Sequence, residues 1–240
     1  MSKSPTRRSH NYLLDRLPGD VCERLRPHLQ PMELVVGKVL YESDAPQTHM
    51  YFPRSGVISL LYVVESGGMG EVAMVGKEGV VGVSVLVDSS ATPTRAEVQV
   101  AGEALVLKSE FIEREFQRAG AFQLMILRYT QLMLSQMAQA VICNRHHSII
   151  QQYCRWLLSA FDCMDGGDLA LTQEAIANLL GVRREGVSEA AKRLQEAGAI
   201  RYSRGNIHLT DRAGLEQRSC ECYQVARREY DRLLGGKLQA

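Results

Sequence analysis

The chain has 240 residues, with 28 basic and 27 acidic side chains, a net charge of +1 and 45% hydrophobic residues, a length that suits one large domain or two modest ones. This composition excludes a disordered chain, which combines low hydrophobicity with high net charge; it also excludes a protein that coats DNA through bulk positive charge, so any nucleic-acid site must be local. No apolar run approaches the roughly 20 residues that cross a bilayer, and segment 1–11 carries Lys3, Arg7 and Arg8 without the apolar core of a secretory signal, so the chain reads as soluble and cytoplasmic, with no membrane partner.

Residues 34–108 read as short strands. The segments 34–36, 50–52, 56–64, 71–75, 79–87, 95–100 and 104–107 are rich in β-branched or aromatic residues, and turn signals such as Gly37-Lys38, Ser66-Gly67-Gly68 and Asp88-Ser89-Ser90 separate them. Strands recurring about every ten residues with no helical pattern between them predict an antiparallel sandwich or roll.

The pattern changes near Glu110. Segment 122–142 contains no Gly or Pro, and Leu124, Leu127, Gln131, Leu134, Ala138 and Val141 follow one another at steps of three and four, the seam of a coiled-coil-like helix. Met125, Ile126, Tyr129, Met133 and Met137 form a second apolar stripe. A helix apolar on two faces needs two partners: the β-region and, most simply, the same helix of another copy. A further helix is predicted over 147–162, ending at Asp165-Gly166-Gly167, with a hinge between the two helices near Asn144.

The next segment carries the function. Thr172 is a good N-cap; Ile176, Leu179 and Leu180 give one short helix an inward face; Gly181 supplies a tight turn; and Val187, Ala190, Ala191 and Leu194 give the next helix its own inward face. Two helices joined in this way form a helix-turn-helix. The second helix, about 183–196, turns Arg183, Arg184, Glu185, Ser188, Lys192 and Arg193 away from the core. A hairpin follows, with Arg201 on its first strand and Arg204-Gly205-Asn206 at its tip, the wing of a winged helix. Residues 181–212 hold seven basic and four acidic side chains, a local excess of three. Such a surface suits double-stranded DNA: a helix fits the major groove, Arg grips guanine in a fork, Glu accepts from cytosine N4, and a basic wing rests on phosphates. The last helix, about 211–234, reads as an amphipathic cover over this domain.

These features together resemble the Crp/Fnr family of bacterial transcription regulators, over nearly the whole chain. The run Tyr51-Phe52-Pro53-Arg54-Ser55-Gly56-Val57-Ile58 is similar to the family's β-roll sensor domain, the long helix to its dimerisation helix, and 171–194 to its DNA-binding motif. The resemblance places Arg184 and Glu185 at the family's base-reading pair and Thr172 at its phosphate-contacting Thr; the next base-reading Arg is Glu189 here, and Gly186 interrupts the recognition helix. It implies an α+β fold in three units: a cyclic-nucleotide-binding-like β-roll (1–118), a dimerisation helix and hinge (119–145), and a winged helix-turn-helix domain (146–240). It further implies a homodimer on a pseudo-palindromic site, with RNA polymerase as a further partner.

At the sensor end, Gly82 and Arg95 fall where the family holds a cyclic nucleotide. Gly82 is followed by Val83 rather than by the ribose-binding Glu, and Arg95 by Ala96 rather than by a hydroxyl residue, so cyclic AMP is not the expected effector and no cofactor is assigned. A cyclic dinucleotide, or no effector at all, stays open. Cys22 stands alone in the N-terminal region, which argues against an iron–sulfur cluster of the Fnr type. The six cysteines (Cys22, Cys143, Cys154, Cys163, Cys220, Cys222) form no CxxC pair; with Cys220 and Cys222 on a helix their side chains diverge by about 200°, so buried thiols and no metal are expected. His146 and His147 diverge likewise. Gly76-Lys77 lacks the flanking residues of a phosphate loop. No local catalytic constellation is present, so an enzyme is not expected. The competing reading is a small-molecule or cyclic (di)nucleotide binding module with secondary DNA binding, favoured by Gly186 and Glu189.

Overall fold

The computed structural model describes residues 9–65, 67–87, 92–164, 166–203 and 205–235. Near the start of the described chain, Asn11 is a fully buried side chain. Its amide donates to the carbonyls of Pro53 and Gly79 at 2.8 and 2.9 Å, and its oxygen accepts from the backbone amides of Leu13 and Leu14. A 3-10 turn at Leu14–Arg16, helix α1 (Gly19–Leu25) and a second 3-10 turn at Arg26–His28 follow, none of which the sequence pattern announced.

Seven strands come next: β1 (Gln30–Leu34), β2 (Val39–Tyr41), β3 (His49–Pro53), β4 (Val57–Val63), β5 (Met69–Val75), β6 (Thr94–Val100) and β7 (Gly102–Lys108). They pair antiparallel in two sheets, β1-β7-β3 and β2-β6-β4-β5. Alternation along the strands explains the layering. Ile58, Leu60, Ala73, Val75, Ala96 and Val98 of one sheet meet Met50, Phe52, Ala104 and Leu107 of the other in a shared core.

The expected strand over 79–87 is not formed. Val81 makes a single bridge with Tyr51, and Val83–Leu86 is a 3-10 helix. Gly82 forces the break: its φ is +96°, and a Cβ there would lie 2.5 Å from the carbonyl oxygen of His49. Its apolar neighbours are buried by a turn rather than by alternation. The expected strand at 34–36 likewise stops at Leu34, leaving Val35 and Val36 exposed.

Helix α2 (Ser109–Phe116) leads to the long helix α3 (Ala121–His146). The stripe of Met125, Ile126, Tyr129 and Met133 is buried in the β-roll core, with Met137 packed at its edge. The chain turns at His147–Ser148, a little beyond Asn144, and Ser148 opens α4 (Ile149–Cys163) in a capping box with Gln151. Then follow β8 (Leu169–Ala170), α5 (Gln173–Leu180), α6 (Arg184–Glu196), β9 (Ile200–Ser203) and β10 (Asn206–Leu209). The chain closes with α7 (Arg212–Arg218) and α8 (Cys222–Leu234).

The single cover helix expected over 211–234 is therefore two. Helix α8 departs from expectation again in its packing: it lies along α3, and Leu234 is buried in the β-roll core, with Tyr230 and Leu233 beside it. The break frees Cys220 from any helix, so the divergence expected of a helical pair does not apply; Cys220 and Cys222 converge with Cys143. Three donors converge on the carboxylate of Asp162 at the end of α4: Arg212 at 2.6 Å, Tyr223 at 2.8 Å and Arg227 at 2.9 Å.

The two halves also touch through the outer face of the four-stranded sheet. Leu61 of β4 is buried in the core of the second half, the Trp156 indole donates to Glu71 of β5 at 2.8 Å, and the Cys163 thiol donates to Glu78 at 3.0 Å. A Cβ on Gly76 would sit 2.4 Å from the Cβ of Cys163, so this glycine lets the end of α4 press against the β5 turn. Among the described residues no helix is long and apolar enough to cross a membrane.

Candidate nucleic-acid interface

Thr172 immediately precedes α5, and its hydroxyl oxygen accepts from the amide of Ala175 at 3.1 Å, capping the helix as expected. Gly181 ends α5 at φ +68°, the left-handed conformation that glycine adopts without a Cβ penalty. Helix α6 begins three residues later, at Arg184. Ile176, Leu179 and Leu180 of α5 and Val187, Ala190, Ala191 and Leu194 of α6 share one core with Tyr153, Trp156 and Leu157 of α4. That core fixes the roll of α6 about its own axis and so decides which side chains face out.

Arg183, at the N-cap, and Arg184, Glu185, Lys192 and Arg193 on α6 are exposed. The side chains of Arg183, Arg184 and Glu185 have no ion pair or hydrogen bond among the described residues. Lys192 lies 3.9 Å from Glu196, and Arg193 is paired with Glu189 one turn earlier. Ser188 is half-buried and donates to the side-chain oxygen of Gln173 at 2.6 Å, so its hydroxyl proton is used between the two helices. Gln173 had no signal of its own in the sequence.

The hairpin is the outer part of a three-stranded sheet, β8-β10-β9. Arg201 is exposed on β9 opposite His208 of β10, and His208 pairs with Asp168 at 2.7 Å. Gly205 turns the tip with φ +81°; Arg204, expected there as a phosphate contact, lies outside the described residues. Gly186 has a packing reason. A Cβ at that position would meet the Cδ1 of Ile149 at 2.6 Å, so the glycine lets the first turn of α4 seat against the recognition helix.

Residues 151–218, which run from within the first turn of α4 to the end of α7, match the family model described as the Crp-like helix-turn-helix domain. This stretch of the chain is a Crp-like helix-turn-helix domain. No curated protein matches the sequence, but solved structures match the fold. FixK2 from Bradyrhizobium japonicum aligns with a TM-score of 0.68 at 17% identity, over 80% of this chain and 98% of its own. A CRP-family transcriptional regulator from Thermus thermophilus aligns at 0.64 and 16%, over 87% and 99%. CLP from Xanthomonas campestris, described as a c-di-GMP-responsive global regulator, aligns at 0.62 and 16%, over 80% and 99%. The resemblance to Crp/Fnr regulators thus holds in fold along the chain and in sequence over the Crp-like domain.

The helix that precedes the Crp-like domain carries the expected seam. Leu127, Leu134 and Val141 are 55%, 57% and 66% exposed in the single chain, too open for a face buried within one subunit. Gln131 and Ala138 are exposed with them, while Leu124 is half-buried.

The residues expected at the effector site are not brought together as a phosphate cradle. Ala96 and Val98 point into the β-roll core, so Arg95, the neighbour of Ala96 on β6, faces the other way together with Glu97. It stands opposite Leu61, which packs towards the Crp-like domain. Its guanidinium lies 2.7 Å from Glu97 and 3.7 Å from Glu42. Gly82 serves the turn described above. Tyr41, beside Thr94 and Gln47, is pushed up to about 12 by burial.

Proposed function

We propose that the protein is a sequence-specific transcription regulator that binds double-stranded DNA as a homodimer, with α6 of each copy in the major groove and the β9–β10 wing on the phosphates. The observation that carries this reading is the first turn of α6. Arg183, Arg184 and Glu185 stand exposed and without side-chain partners among the described residues, on a helix whose opposite face is locked into a Crp-like core. Arg184 and Glu185 read base edges, as their chemistry allows. Thr172, Arg183, Lys192, Arg193, Arg201 and Arg204 supply contacts that position the protein without reading sequence, and Ser188 holds the two helices in register.

The exposed stripe of Leu127, Leu134 and Val141 on α3 supports pairing with a second copy. Two-fold pairing sets the recognition helices on half-sites about 34 Å apart. The two features that favoured a binding module with secondary DNA binding have structural roles instead: Glu189 holds Arg193, and Gly186 makes room for Ile149. Cyclic AMP is not the effector in this reading. Arg95 lies on the outer face of its strand and already carries two carboxylates, whereas a buried phosphate needs an uncommitted cation. The protein acts in the cytoplasm, meets RNA polymerase at the promoters it reads, and is not an enzyme.

In-vitro selection of DNA fragments by the purified, effector-free protein tests the reading. A palindromic motif bound at least about 10³-fold above random DNA is the expected result. Salt-sensitive binding without a motif, unchanged when a panel of cyclic mononucleotides and dinucleotides is added, would overturn it.

A further inference from the structure

At the junction of α3 and α4, four side chains from two distant stretches of sequence meet. Cys143 lies in the last turn of α3 and His147 follows one helical turn later. Cys220 sits in the turn between α7 and α8, and Cys222 is the first residue of α8. Their three sulfurs and one ring nitrogen all lie within 4.8 Å of one another. The three cysteines are buried, and the His147 side chain is 14% exposed.

The spacing is that of a metal site. Cys143 Sγ and Cys220 Sγ are 3.6 Å apart, far beyond the roughly 2.05 Å of a disulfide. Tetrahedral zinc, with Zn–S near 2.3 Å and Zn–N near 2.05 Å, sets S···S edges of about 3.8 Å and S···N edges of about 3.6 Å. Cys222 Sγ lies 3.5 Å from His147 Nδ1, so both of these edges fit. Donors this close surround a single ion and leave no room for the bridging sulfides of a cluster.

The surroundings fit as well. Arg155 Nε points at Cys143 Sγ from 3.2 Å, and Gln139 Nε2 points at Cys222 Sγ from 2.9 Å, the N–H donors that coordinated thiolates attract. With Nδ1 turned towards the sulfurs, the other ring nitrogen of His147 lies 3.3 Å from the carboxylate of Glu221, the carboxylate–histidine–metal arrangement that fixes the ring and its tautomer. Three thiolates around Zn²⁺ leave one net negative charge, and Arg155 supplies one positive charge beside it.

We propose that Cys143, His147, Cys220 and Cys222 bind one Zn²⁺ in a closed, structural Cys₃His site. Binding displaces a proton from each thiol that is protonated beforehand, and these protons pass to solvent. No position is left for substrate, so the ion is a clasp: it ties the α7–α8 turn to the end of α3, where the long helix hands over to the DNA-binding half.

The test uses the full-length, untagged protein, reduced and handled without oxygen. Elemental analysis is expected to find one zinc per chain, and cobalt reconstitution to give the thiolate charge-transfer and strong visible bands of a tetrahedral site. Cys220→Ser and the double variant Cys143→Ser/Cys222→Ser lose both signals, while Cys22→Ser, outside the cluster, keeps them. His147→Cys retains zinc through a fourth thiolate and so separates loss of a ligand from loss of fold. Glu221→Ala weakens zinc about 10-fold or more, because the His147 ring loses the carboxylate that orients it. A wild-type protein that is folded by circular dichroism yet takes up neither metal, or a Cys143→Ser/Cys222→Ser variant that binds zinc as tightly as wild type, would overturn the proposal.

Discussion

Arg184 stands exposed in the first turn of α6 with no side-chain partner among the described residues, which leaves its guanidinium free to make the base contact proposed above. Arg184→Ala is expected to cost about 1–3 kcal/mol on the selected site and to relax discrimination at one base pair, read by titrating the site and its single-base variants. Arg201→Ala on the wing is expected to weaken every sequence alike and to flatten the salt slope by about one unit. A uniform loss from Arg184→Ala would remove it from base reading. The outward set on α6 was legible in the sequence because inward Val187, Ala190, Ala191 and Leu194 leave one free face. The partners of Ser188 and Arg193 were not, because they depend on rotamers and on a neighbouring helix. Asn11 gave no sequence signal either, since only the folded chain brings Pro53 and Gly79 to its amide. Asn11→Ala strips two buried carbonyls and two amides of their partner, and a loss of about 2–4 kcal/mol in urea unfolding is expected.

At the scale of elements, α3 shows why periodicity works. A helix with two apolar stripes must bury both, and the structure buries one against the β-roll and leaves the other open. Leu134→Glu places a charge in the middle of the open stripe. The variant is expected to sediment as a monomer at concentrations where wild type is a dimer, and to lose most of its affinity for the full palindrome while its circular dichroism stays unchanged. Unaltered sedimentation would mean that the stripe does not pair. The β-roll strands were legible for the same reason, through alternation. Segment 79–87 failed because an apolar run can be buried by a turn as well as by a strand, and the backbone demand of Gly82 is not visible in composition. Cys143 and His147 lie four apart and Cys220 and Cys222 two apart; the first spacing passed unnoticed in the sequence and the second was read there as a divergent pair. Their meeting depended on α8 folding back along α3, which no local pattern states.

Across the whole molecule, the two halves are held together partly by a half-buried acid. Burial of the Glu71 carboxyl against α4 raises its pKa above the ordinary carboxylate value, while the hydrogen bonds from Ser59 and Trp156 and the nearby Arg155 oppose the rise. A raised folded pKa means that the folded state holds the proton more tightly than the unfolded state does. The stability this contributes is complete below the ordinary value near 4.5 and is lost as pH climbs through the folded value. Glu71→Gln removes that dependence. Its melting temperature is expected to exceed that of wild type near neutral pH by a margin that shrinks as the pH is lowered towards 4, as read by paired thermal melts. Glu78, also raised by burial, changes both proteins alike and drops out of the comparison.

The return of α8 to the β-roll has a consequence for the order of events during synthesis. Leu234 completes a core whose other buried members end at Met133, so about a hundred residues must be translated after the penultimate member before the last one exists. At about 5–20 residues per second this takes roughly 5–20 s. Throughout that interval the nascent β-roll carries an open apolar seat along α3, available to chaperones and to the same seat on neighbouring nascent chains. The N-terminal half cannot finish folding ahead of the C-terminal half, and a ribosome that stalls between them releases an unfinished β-roll rather than a free-standing one.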